Sequence, residues 1–122
     1  MIKANFSRDD DALKVALSVE GHAGHSIPGK DIVCASASIL LYTIAQLVKA
    51  MAHHGDFTEE PIVEIEDGKA TVSCRCKNKD DYAEVVYAFF VVQTGYSLLE
   101  QTYPQYVELT MFGENNEGGE QV

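Results

Sequence analysis

Apolar Ile2, Ala4 and Phe6 alternate with polar Lys3, Asn5 and Ser7, and a similar alternation runs from Leu13 to Glu20. A period of two sends successive side chains to opposite faces of a strand, so residues 2–7 and 13–20 are predicted β-strands. Arg8-Asp9-Asp10-Asp11 between them is the polar cluster of a hairpin connection. Gly21, Gly24, Pro28 and Gly29 then exclude a regular element over 21–30, which is expected to be a mobile loop. From 32 to about 53 strong helix formers dominate, with Asp31 expected as the N-cap and Gly55 as the stop. Residues 62–66 and 69–77 flank Asp67-Gly68, a dipeptide that favours a type I′ turn, and form the clearest hairpin in the sequence. Beyond Asp80, Tyr82, Val85, Val86, Phe89, Phe90, Gln93, Tyr96 and Leu99 recur at helical spacing until Tyr103-Pro104. Residues 107–111 alternate as a last strand. The order ββαββαβ implies a single α+β domain over 1–112, with two helices packed on largely antiparallel strands. Residues 113–122, rich in Gly and Glu without apolar pattern, are expected to be a disordered acidic tail.

Composition narrows the function. The chain has 122 residues, 46% hydrophobic and 23% charged, an ordinary globular balance. Its net charge of −10 repels phosphate backbones and anionic lipid, so nucleic acid is not expected as a partner, whereas a basic polypeptide would be attracted. Residues 32–48 carry no charge and approach the length of a membrane span. Ser36, Ser38, Tyr42, Thr43 and Gln46 within them favour instead a helix buried on most sides of a compact domain or at a subunit contact, so no membrane association is expected. The N-terminal residues show no secretory pattern, and the three cysteines suit a reducing compartment; a cytoplasmic protein is expected.

Nucleophilic catalysis needs a thiol or hydroxyl beside a base. Cys74 and Cys76 share one face of a strand, where cysteine usually serves as a small apolar residue. A zinc site from Cys74, Cys76, His53 and His54 lacks two well-spaced ligand pairs, and the two histidines suit the negative end of the helix. Cys34 differs. With Asp31 as cap it falls in the first turn, where the positive dipole end stabilises a thiolate, and the N–H groups of Cys34 and Ala35 could hold an oxyanion. His22, directly after the second strand, could fold back over the helix start. A buried Cys and an unrelated loop His would fit the same spacing.

The residues Gly21-His22-Ala23-Gly24, followed by Gly29-Lys30-Asp31-Ile32-Val33-Cys34-Ala35 and Ser38, resemble the signature of the ribosomal-processing cysteine protease (Prp) family. The likeness continues through the later hairpin and helix to Tyr103-Pro104 and Tyr106, with Ser36 standing where a second alanine is more usual. The resemblance implies a protease that removes a short N-terminal extension from a protein of the large ribosomal subunit, acts as a homodimer and needs no metal or other cofactor. It assigns His22 and Cys34 to catalysis and matches Asp31 and Ser38 to polar residues near them; capping or helix packing would also explain those two. The competing class is a non-catalytic, dimeric ribosome-associated module in which Cys34 is a packed helix residue.

Overall fold

The computed structural model describes residues 1–22 and 30–114. The loop glycines Gly24 and Gly29, the side chain of Asp31 and residues 115–122 of the acidic segment lie outside the described residues, as does the expected mobility of residues 23–29. The elements are β1 (Ile2–Asp9), β2 (Lys14–Glu20), α1 (Lys30–His54), β3 (Ile62–Glu66), β4 (Lys69–Arg75), α2 (Lys79–Thr102) and β5 (Val107–Thr110). This is the expected α+β domain and element order. The strands form one sheet in the order β3-β4-β2-β1-β5. Neighbours are antiparallel except β5, which returns after α2 and runs parallel to β1.

Alternation decides which sheet face is covered. Ile2, Ala4 and Phe6 of β1, Val15 and Leu17 of β2, and Ala70, Val72 and Cys74 of β4 are buried. Tyr82, Val85, Phe89, Val92, Gln93, Tyr96 and Leu99 make up the buried side of α2. Tyr96 fastens the two layers: its ring meets Phe6 edge-on at 5.9 Å, and its hydroxyl donates to the Ala37 carbonyl of α1 at 2.8 Å. Burial of that phenol disfavours its ionised form and raises its pKa. At the far end of α2, Asn78 caps the helix by accepting from the Asp81 N–H, and Tyr82 donates to Asp10 in the β1–β2 connection.

Two expectations about α1 change. The helix begins at Lys30, so Asp31 stands inside the first turn rather than at the cap. Counted from Lys30, Cys34 and Ala35 are directed by the i to i−4 ladder toward the carbonyls of Lys30 and Asp31, so their N–H groups are not the free donors expected for an oxyanion. Within the single chain α1 is covered along one side, which leaves a subunit contact as the expectation for the other. Val33, Ala37, Leu41, Ile44, Ala45 and Val48 face the core, while Ile32, Ile39, Tyr42 and Leu47 are exposed. Ile32–His54 is long and apolar enough to cross a membrane; its most apolar 18-residue window has a mean hydropathy of 1.7, and only 33% of that window is buried against the rest of the fold.

Candidate active site

A cavity of about 420 Å³ opens between the first half of α1 and the end of the sheet. Cys34, Ser38 and Tyr42 form its helical wall, Val19 and Ala70 belong to its sheet side, and Asp67 and Gly68 of the β3–β4 turn close its rim beside His22. Residues from two separate stretches of sequence therefore meet because β4 pairs with β2, which sets Lys69 opposite Glu20 and brings the turn level with Gly21. The Gly21 N–H donates to the Gly68 carbonyl at 2.9 Å and extends that ladder by one step.

The local backbone explains Gly21-His22. Gly21 has φ +98, and a Cβ there would collide with the Met1 carbonyl oxygen. Only glycine combines that dihedral with so close a backbone approach. The His22 carbonyl accepts a hydrogen bond from the Met1 amino group at 2.6 Å, fixing the main chain while the side chain remains 58% exposed. The imidazole lies across Gly68: a Cβ built on that glycine would fall 2.6 Å from His22 Nε2. Asp67 Oδ1 stands 4.0 Å from the same nitrogen and is almost fully exposed, so the pair contributes little to stability.

Cys34 is half-buried and faces this cavity, and Ser38, one turn on, is exposed in the same wall rather than packed in the core. The other thiols are in the core. Cys74 is pushed up to about 12, first by burial and then by the neighbouring Cys76; Cys76 is pushed up to about 11 by burial, then by the charges of Asp81 and Asp56. Both stay protonated at neutral pH, as suits structural cysteines. His53 and His54 occupy the last turn of α1 as expected. His54 Nδ1 lies 2.9 Å from Asp56 Oδ1, and that hydrogen bond and charge raise its pKa, so it is engaged at the helix end rather than with the two thiols.

In the folded protein, iodoacetamide at pH 8 is expected to modify Cys34 first. Cys74 and Cys76 should react only on unfolding, since their thiolate fractions at that pH are of order 10⁻⁴ and 10⁻³. Peptide mapping after timed quenching checks this order, and faster labelling of Cys74 or Cys76 would contradict it.

Sequence reasoning placed His22, Cys34, Ser38 and Gly21 around one site but missed Asp67 and Gly68. Their dipeptide was legible as a turn; its position depends on β4 lying beside β2, which no local pattern encodes.

The sequence model of the family described as cysteine protease Prp matches residues 1–108. The chain belongs to the cysteine protease Prp family. Among solved structures, the fold is similar to that of the ribosomal processing protease Prp from S. aureus in complex with a substrate peptide: TM-score 0.65, 22% identity, 92% of this chain and 99% of that chain covered. The same S. aureus protease with a covalently linked product peptide gives TM-score 0.65 at 23% identity, with the same coverage. SMU.848 from Streptococcus mutans gives 0.63 at 24% identity over 92% of this chain and 95% of that chain. Among curated proteins none matches this chain by sequence. The Prp family match thus covers β1 through the first two residues of β5 and includes every residue that lines the cavity.

Proposed function

We propose that this protein is a cysteine endopeptidase in which Cys34 is the nucleophile and His22 the acid and base. The observation that carries this reading is that Cys34 and His22 line one open cavity, on a chain of the cysteine protease Prp family. His22 takes the Cys34 proton as Sγ attacks the scissile carbonyl, then returns it to the nitrogen of the departing amine as the C–N bond breaks. Water, deprotonated by the same imidazole, cleaves the resulting thioester and restores the thiol. Ser38 adds a hydroxyl to the wall beside Cys34. The proposed substrate is a large-subunit ribosomal protein carrying a short N-terminal extension, processed in the cytoplasm. The S. aureus Prp structures with substrate and covalently linked product peptides support it, and the net charge of −10 suits a basic substrate. Incubating the protein with the extended ribosomal protein, and following the fragments by mass, tests the reading.

Gly68 supplies a sharper check on the geometry. A methyl group there would displace the His22 ring, and φ +80 disfavours any L residue. Gly68→Ala is expected to lower kcat by about 10²-fold through misplacement of the imidazole, with a stability loss of about 1–2 kcal/mol from the backbone. Steady-state kinetics beside a denaturant titration separate the two, and an unchanged kcat would remove Gly68 from the account.

The same reading includes a homodimer. Tyr87, Val91 and Leu98 form an exposed apolar stripe on α2, Tyr87 being 67% exposed, and Ile39 is 64% exposed on α1. Tyr87→Ser combined with Leu98→Ser should shift the protein toward monomer, raising the dimer Kd at least about 10-fold. Sedimentation velocity over a concentration series reads this directly, and a monomeric parent protein would contradict it.

A further inference from the structure

β3 lies at one edge of the sheet and, among the described residues, pairs with β4 alone. Its free side has a definite hydrogen-bonding pattern. The turn between the strands has two residues, so Glu66 and Lys69 form a hydrogen-bonded pair, as do Glu64 with Thr71 and Ile62 with Ser73. The N–H and C=O groups of Val63 and Ile65 therefore point to the open edge. Their side chains stand opposite Val72 and Ala70, on the sheet face that α1 covers.

Two hollows follow this edge. Ile65 belongs to the cavity that holds Cys34 and His22. Val63 and Pro61 line a second hollow of about 510 Å³, whose opposite wall is Lys49 and His53 of α1. The unpaired edge thus leads from the far end of α1 to the nucleophile. Exposed edges are templates for another strand, and natural sheets usually protect them.

We infer that the edge of β3 takes the substrate as an added strand, holding an extended segment whose scissile end reaches Cys34. The inference rests on the protease reading and names the class of segment recognised. Side chains of the added strand that face α1 would meet Val63, Ile65 and Tyr42 and should be apolar. Those on the opposite side would meet Glu64 and Glu66 and should be Lys or Arg, because opposite charges across neighbouring strands attract. The recognised pattern is therefore alternating apolar and basic, in an otherwise unstructured stretch.

An eight-residue peptide of alternating leucine and lysine, with blocked ends, is the probe. In Cys34→Ala protein labelled with ¹⁵N, a saturating amount should slow amide exchange at Val63 and Ile65 about 10-fold, and an equal amount of a leucine–glutamate peptide should not. Val63→Pro deletes one edge N–H and leaves the ladder to β4 intact, so it should weaken peptide binding about 5- to 10-fold. Should that variant fail to fold, exchange on the unsubstituted strand decides alone. Unchanged exchange at saturating peptide overturns the inference, and so does protection that grows with protein concentration without peptide, since a second copy then occupies the edge. Cleavage of the extended ribosomal protein by the unsubstituted chain is measured in parallel. If cleavage occurs while Val63 and Ile65 stay unprotected, strand addition fails and the protease reading stands; if no cleavage occurs, the protease reading itself fails.

Discussion

Cys34→Ala is expected to bring cleavage down to background, a loss of at least about 10⁴-fold, while the protein stays folded and still binds its substrate. The substitution deletes the atom that attacks the carbonyl, so no thioester can form, and neither buried thiol can replace it. Cys74 and Cys76 lie in the core with pKa values of about 12 and about 11, away from the cavity wall. The fold should tolerate the change. Alanine is the best helix former, and Cys34 is only half-buried, so the lost packing is worth about 1 kcal/mol or less. A fragment time course by mass spectrometry, with circular dichroism and a binding isotherm on the same preparation, checks all three parts. Cleavage at the unsubstituted rate by a folded Cys34→Ala protein would remove the covalent mechanism.

His22→Ala should cost less, about 10²- to 10⁴-fold, because it removes proton transfer and leaves the nucleophile in place. What remains should rise with pH as solvent base replaces the imidazole in forming the thiolate. The fold should hardly notice. The His22 side chain is largely exposed, and the contacts that fix this stretch run through the main chain, from Gly21 to Gly68 and from Met1 to the His22 carbonyl. Because the two groups act as a unit, the double variant should be no slower than Cys34→Ala alone. Rates of the three variants across a pH series test this, and additive losses would indicate two independent contributions.

Both hairpins and both helices were legible in the sequence, because a period of two is distinct from one near 3.6 and because Asp67-Gly68 and Gly55 mark ends. The order of strands was not. Nothing local to 69–75 says that β4 lies against β2, yet that pairing places Gly68 under the His22 ring. The start of α1 shifted for a different reason: an aspartate is favoured both as an N-cap and within the first turn, and Asp31 occupies the second place. Which side of α1 the sheet covers was not legible, because Ile39, Tyr42 and Leu47 are as apolar as the residues facing the sheet. His22 and Cys34 were legible through their resemblance to a known motif rather than through spacing, which fitted an unrelated pair equally well.

In the proposed reaction Cys34 and His22 cleave one peptide bond near the N-terminus of a large-subunit ribosomal protein. The most direct measurement is the intact mass of that extended protein after incubation with the unsubstituted chain at neutral pH. Two fragments are expected, with masses that add up to the substrate plus one water and the smaller carrying the original N-terminus, and none with Cys34→Ala. An extended ribosomal protein that keeps its full mass beside folded, Cys34-reactive protein would contradict the proposed reaction.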